Sequence, residues 1–384
     1  VVAMASELGW STADEGRVKS AFAFGYMFTQ IPGGIAGDRT GNKKFQSLAM
    51  LSFAVGLGCL PPLIGAMDAD ASPRVAEWTC CLIGLCCGAQ HPTMTGLIKN
   101  WCLPAEKNWC VSMESVATVG GSLANCLIVA YLTTALGWRN TMYVLSATTL
   151  LSLIAFQLMV SDAPMATGGL LPLGAEEAAL YRAEGMLVEE KAAAVAAPKK
   201  SAGSAGDAAE DSTGVVGGSV AALFTNKGTW VLILSHAMYN LGRYTYEQEM
   251  PKYYLESLSE NNSGMHLATL HITAVCGSML LKGRVDSFGL STMSIRRVAS
   301  IGGYSMFAVG CGVLAYFATQ EQLPPAYMFT VALNVLWFGL TVQSFGHVAN
   351  YYDITRTNTG LLMGVGNTIG KHELTCRSIL VCSL

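Results

Sequence analysis

Nine stretches of roughly 20 mostly apolar residues follow one another along this chain. They lie near 18–37, 45–67, 76–98, 111–135, 140–160, 229–250, 265–282, 298–318 and 325–347, and a tenth begins near 358 and stops near 370. About 20 such residues, coiled as a helix, cross the hydrocarbon of a bilayer. The pattern therefore predicts an all-α multi-pass membrane protein with a lipid bilayer as its solvent. Charge usage agrees: 13% of the 384 residues are charged, where soluble domains average about 25%. A charge at mid-membrane is costly, so a spanning chain sheds it. The net charge of −3 offers no basic surface, and no nucleic-acid partner is expected. The twelve cysteines are dispersed and fall mostly inside apolar runs, where cysteine behaves as a small hydrophobe rather than as part of a disulfide scaffold.

The segment 161–228 breaks the pattern. It holds "EEKAAAVAAPKK" and "SAGSAGDAAEDSTG", with nine acidic and five basic residues. Low hydrophobicity and high charge predict a largely disordered aqueous loop, with a helix around 175–192. Lys and Arg set its side of the membrane. Alternate loops hold Arg39, Lys43, Lys44, Lys99, Lys107, the five basic residues of 161–228, Lys282, Arg284, Arg296, Arg297 and Arg356 on one side. Only Arg17, Lys19, Arg74, Arg139 and Lys252 fall on the other. The richer side, with the long loop, is predicted to be cytoplasmic. This divides the chain into an N-terminal bundle (1–160), the loop (161–228), a C-terminal bundle (229–370) and an atypical tail (371–384). Two bundles of similar size suggest a transporter built from repeats.

"GGIAGDRTGNKK" follows the first visible span and fits G-x-x-x-D-R-x-G-x-K-K on Gly34, Asp38, Arg39, Gly41, Lys43 and Lys44. Glycines here permit close helix approach and positive φ. Asp38 is suited to cap the N-terminus of a neighbouring helix or to pair with a cation. The motif resembles the signature loop of the major facilitator superfamily. Further stretches resemble one branch of it, the anion:cation symporters, which include sodium/phosphate cotransporters, vesicular glutamate transporters, sialin and plant plastid anion transporters. They are "FGYMFTQIPGG"; the W-x-x-P-x-E turn on Trp101, Pro104 and Glu106; G-W-R on Gly137, Trp138 and Arg139; and a segment carrying Asn350, Asp353, Ile354, Gly360, Gly364, Asn367 and Thr368. The resemblance spans nearly everything except the long loop and the tail. It implies two six-helix bundles of the major facilitator fold. Counted against that fold, the visible spans are two to six and seven to eleven, with the first and the last one or two missing or incomplete. "VVAMASELGW" then reads as the last turn of the first span and the loop after it, and "KHELTCRSILVCSL" as a departure where a final span is expected.

The stretch "HAMYNLGRYTYEQEMPKYY" resembles the seventh span of that family on His236, Asn240, Gly242, Tyr246, Pro251 and Tyr253, with Leu241 in place of a tryptophan. The resemblance implies that this span faces the central cavity. Helix geometry supports it independently: His236, Asn240, Arg243 and Glu247 fall on one narrow stripe about 16 Å long. A polar stripe on an apolar helix faces water or another helix, not lipid. Arg243 and Glu247 are spaced i, i+4, so Arg243 is a candidate holder of an anion and Glu247 a proton carrier or the group that orients the arginine. A structural ion pair near the helix end is the competing reading, and both stay open here. Asn240 and Tyr246 are candidate donors to substrate. His236 is a candidate path residue that also reads as a packed core histidine. Glu249 points the opposite way.

The fourth span departs from the family. Where R-x-x-x-G-x-x-E-G is expected, Cys80 replaces the arginine and Cys87 the glutamate, while Gly84, Gly88 and Pro92 match. Lys19 stands where vesicular glutamate transporters carry a histidine, and it is a candidate replacement cation or an exposed lysine at a helix end. The spacing of Cys80, Cys81, Cys86 and Cys87 is not that of a zinc or iron–sulfur site, so no metal and no cofactor are expected. No G-x-x-x-x-G-K-[ST] occurs, and no enzyme constellation can be assembled.

The implied function is secondary active transport of a small anion, phosphate or organic, by a monomer. Alternating access would be driven by co-transported H⁺ or Na⁺, with Glu114 as a second proton-carrying candidate. Transport of sugar phosphates or neutral solutes, or a degenerate sensor or scaffold, are the alternatives. The sequence leaves the membrane open among plastid envelope, vacuolar and plasma membrane.

Overall fold

The computed structural model describes residues 1–68, 71–164, 175–184, 186, 220–260, 263–281, 284–355 and 358–369. Among these residues there are helices, turns and bends and no strand. In chain order the helices are α1 (Val2–Leu8), α2 (Thr12–Thr40), α3 (Asn42–Gly65), α4 (Ser72–Cys87), α5 (Gln90–Trp101), α6 (Lys107–Met159), α7 (Ala175–Ala183), α8 (Val220–Thr225), α9 (Lys227–Glu256), α10 (Ser263–Leu281), α11 (Arg284–Ser287), α12 (Thr292–Ala318) and α13 (Ala326–Ile354). A last helix, α14, covers 359–369. Six helical segments among the described residues are long and apolar enough to cross a membrane: Asn42–Gly65, Asn108–Val129, Tyr131–Met159, Gly264–Leu281, Thr292–Ala318 and Ala326–Ile354.

Local chemistry sets the boundaries. α1 stops at Gly9, whose φ of 67° few other residues adopt. α2 starts from a capping box in which Ser11 accepts from the Asp14 amide and Asp14 accepts from the Ser11 amide. Gly41, at φ 107°, makes the one-residue turn between α2 and α3. Gly137, at φ 76° and ψ 162°, breaks α6 into two spans at the expected G-W-R turn. The span at 76–98 carries an interruption of its hydrogen-bond ladder between α4 and α5, at Gly88 and Ala89, both of which keep right-handed helical backbone angles. Pro92 has no N–H to donate back to Gly88, which opens the ladder there.

The described residues form two compact units. The first is drawn from Val1–Pro104, Trp138–Trp230 and Asp353–Leu384, the second from Ala105–Gly137 and Val231–Tyr352. The grouping is discontinuous: the first span of α6 packs with the later helices, and α14 packs with the early ones. The division of the sequence at 160, 228 and 370 stands beside this grouping as a proposal.

In the first unit α2 lies against α4 and α5, and α3 packs on both. Small residues allow the approach. A Cβ on Gly25 would collide with the Cys81 carbonyl, and one on Gly84 with the Phe22 carbonyl. Of the cysteines of α4, Cys87 is buried beside Ile83 and Tyr26, while Cys86 is exposed. The start of the long loop is pinned to the helix ends. Asp162 accepts from the Lys43 amide at 2.7 Å, the Trp101 indole donates to the Ser161 carbonyl at 2.9 Å, and Tyr181 of α7 donates to the Trp101 carbonyl at 2.8 Å. The helix expected at 175–192 is α7, ending at Ala183. The disorder expected for the rest of the loop, and the tail 371–384, fall outside the described residues apart from α8 and its neighbours.

In the second unit α13 is the central helix. Leu333, Leu336, Trp337 and Leu340 are at most 3% exposed and pack with Met250 and Tyr254 of α9, Leu270 and Ala274 of α10, and Leu314 of α12. Gly303 and Gly310 of α12 let that helix close onto Gly339, Gln343 and Leu336 of α13. A polar ladder joins α10 to α13. Thr273 donates to Asn334, and Asn334 donates to Thr269 at 2.8 Å.

Candidate solute path

The second unit contains a small cavity at mid-helix depth. Ser115 and Val119 of α6, Tyr239 and Arg243 of α9, Ala274 and Ser278 of α10, and Trp337, Leu340, Thr341 and Ser344 of α13 line it. It has room for about one water molecule. Arg243 supplies the cation. Its side chain is 19% exposed, and its Nε donates to Glu247 Oε1 at 3.0 Å. A guanidinium has five donor hydrogens, so this bond leaves others for a second acceptor. The rest of the wall mixes hydroxyl and aromatic side chains with the aliphatic Val119, Ala274 and Leu340, a few polar groups in an apolar lining.

The other predicted residues divide by place. His236, 5% exposed, shares a 2.8 Å hydrogen bond through Nδ1 with the Tyr351 hydroxyl, and its ring lies 5.2 Å from that of His347. Asn240 is buried one turn further along α9. Tyr246 turns to α12 instead, donating to Cys311 Sγ at 3.2 Å and meeting the Phe307 ring edge-on. Glu114 of α6 accepts from the Tyr352 hydroxyl at 3.2 Å, next to the cavity-lining Ser115. Lys19 belongs to the first unit, half exposed, and pairs with Glu15 one turn earlier. Asn350 and Asp353 are partly buried near the end of α13.

The motif loop forms a joint within the first unit. Gly34 has no room for a Cβ against the Gly360 carbonyl. Asp38 accepts from the amides of Gly360 at 3.3 Å and Leu361 at 3.0 Å, in the first turn of α14. It therefore caps that helix and opposes its dipole. Asn367 of α14, 2% exposed, donates to Gln30 of α2 at 2.5 Å. Lys43 also donates through Nζ to the Gln157 carbonyl at 2.9 Å, while Arg39 and Lys44 are exposed.

Two residues escape the sequence reading. Arg296 was counted among the loop cations, yet it is 4% exposed and donates to Asn108 Oδ1 at 2.8 Å and to the Phe345 carbonyl at 3.0 Å. The seven-residue spacing of Arg296, Gly303 and Gly310 puts it on the buried stripe of α12, a signal that could have found it. His271 of α10, 9% exposed, is a polar residue inside an apolar span.

Comparison with known proteins agrees with the geometry. The family model described as Major Facilitator Superfamily matches residues 1–371. "Probable anion transporter 6, chloroplastic" of Arabidopsis thaliana is 22% identical over 96% of this chain. Sialin of Ovis aries is 22% identical over 94%. "Sodium-dependent phosphate transport protein 1, chloroplastic" of Arabidopsis thaliana is 23% identical over 96%. The chain spans 66% of the length of each of these relatives. Among solved structures, the proton:xylose symporter XylE superposes with a TM-score of 0.64 at 12% identity, over 96% of this chain and 78% of its own. The E. coli fucose:proton symporter FucP superposes at 0.61 and 11% identity, over 96% and 84%. These likenesses carry the fold of a multi-pass membrane protein. The motif loop with its capping aspartate, the helix pattern and the match over residues 1–371 lead to one conclusion: this chain belongs to the major facilitator superfamily.

Proposed function

We propose that the chain is part of a secondary transporter that moves a small anion, phosphate or an organic carboxylate, by alternating access coupled to H⁺ or Na⁺. The observation that carries this reading is Arg243, a guanidinium held inside a cavity of a membrane bundle. Intramembrane charge is costly and is retained where it handles a charged solute. The names of the relatives support the class of solute: an anion transporter and a sodium-dependent phosphate transporter. Arg243 binds the anion, Glu247 orients the guanidinium and competes with the anion for it, and Tyr239 and the hydroxyl of Ser278 complete the shell. Asp38, with α14 against α2, acts in the cytoplasmic gate. The plastid envelope is a candidate membrane, given the chloroplastic relatives.

A second reading, transport of a neutral solute, has one observation in its favour. The Arg243–Glu247 pair is neutral as a whole, and Cys80 and Cys87 remove two charges that the family pattern supplies. Competition separates the two. Labelled phosphate uptake is followed in proteoliposomes under an imposed H⁺ or Na⁺ gradient. Block by unlabelled phosphate and glutamate but not by glucose supports the anion reading. Block by glucose, or sugar flux without phosphate flux, supports the neutral one.

A further inference from the structure

His271 lies on the face of α10 that also carries Ala274 and Ser278, both lining the cavity, since spacings of three and seven residues share a helix face. Its ring meets that of Trp337, another lining residue, edge-on with centroids 6.3 Å apart. Its Nδ1 is buried and has no hydrogen-bond partner among the described residues. A buried polar atom without a partner is uncommon and points to a group that binds something. Among the described residues, the charged groups that act on it are Glu247 and Arg243, both from α9. From α13 it meets Trp337, which is uncharged.

We propose that His271 carries the proton that travels with the anion. This inference rests on the reading of Arg243 as the anion site. Charge balance is the reason. Arg243 and Glu247 together are neutral, so a monoanion on Arg243 leaves the cavity one negative charge in excess. An uncompensated charge at this depth is strongly disfavoured. A proton taken up on Nδ1 restores neutrality, and imidazolium competes with guanidinium for the Glu247 carboxylate, freeing Arg243 for the anion. Anion and proton then bind together from one side and leave together on the other. Histidine is the side chain whose ordinary titration range makes this reversible near neutral pH. Coupling of this kind is reciprocal: the proton tightens the anion, and the anion tightens the proton by the same factor.

The test uses the full chain in liposomes, with Trp337 as reporter, because an imidazolium against an indole quenches its fluorescence. The part of the emission lost in Trp337→Phe is the signal. The expected result is a quench as pH falls from 8 to 5, absent in His271→Gln, with a midpoint that rises on adding phosphate. In Arg243→Gln, which leaves His271 in place should its own variant not fold, phosphate no longer moves the midpoint. Phosphate exchange between equal pools, which needs no net proton movement, falls in His271→Gln to the weak affinity that wild type shows at high pH, and that affinity loses the pH dependence of up to about tenfold per unit that one coupled proton gives. A quench unchanged in His271→Gln, or a midpoint indifferent to phosphate in a wild type that exchanges phosphate, overturns this inference alone. A wild type that exchanges neither phosphate nor glutamate overturns the anion reading, and the inference with it.

Discussion

Asp38→Ala should loosen the start of α14 by an amount that can be read from the geometry. Asp38 accepts two amide hydrogen bonds, from Gly360 and Leu361, where that helix begins. Removing an N-terminal cap costs about 1 kcal/mol. The negative charge facing the positive end of the helix dipole adds roughly 0.3–1 kcal/mol more. The loss is therefore about 2 kcal/mol, which corresponds to a factor of about 30 in a local opening equilibrium. Asp38→Asn keeps one acceptor oxygen but gives up the charge and one of the two amide bonds, because Gly360 and Leu361 donate to different oxygens, so it should cost between about 1 and 2 kcal/mol, a factor between about 5 and 30. Hydrogen exchange followed by mass spectrometry in bilayer nanodiscs reads both. Peptides covering 358–369 should exchange faster in the order wild type, Asn, Ala, while peptides from α3 stay unchanged. Equal protection of 358–369 in wild type and Asp38→Ala would refute the capping argument.

Other substitutions follow from the same contacts. Gly84→Val drives a side chain into the Phe22 carbonyl and should destabilise the α2–α4 packing by about 3 kcal/mol, seen as a lower Tm or loss of the monodisperse peak in detergent. Arg296→Ala leaves the buried Asn108 oxygen and the Phe345 carbonyl without this donor, a cost of about 3 kcal/mol that Arg296→Lys recovers only in part; thermal unfolding measures it. Gly137→Ala places a Cβ on a residue at φ 76° and ψ 162°, backbone angles essentially reserved for glycine, and should cost roughly 1–3 kcal/mol by the same assay, with transport rate unchanged.

Much of this fold is legible in hydropathy alone, because a bilayer demands long apolar helices and tolerates little else. The turns at Gly41 and Gly137 were readable too, since positive φ selects glycine. The stripe on α9 was half readable. Spacing brought Arg243 to Glu247, but it could not show that Tyr246 turns to Cys311 on α12. Arg296 was hidden by its company: next to Arg297 at a helix start it counts as a loop cation, and only the small-residue stripe of α12 betrays its burial. His271 was hidden for the opposite reason, as a lone polar residue in an apolar run whose neighbours across the cavity come from distant sequence. The interrupted ladder at Gly88 followed from Pro92, a cue that a count of apolar residues passes over.

The most direct test of the account is gradient-driven uptake of labelled phosphate by wild type and Arg243→Ala in parallel proteoliposomes, at matched protein content and with folding checked by size-exclusion profile. The account predicts accumulation in wild type and its loss in the variant. Accumulation that is equal in the two would make Arg243 and Glu247 a structural ion pair and would contradict the assignment of this cavity to the solute path.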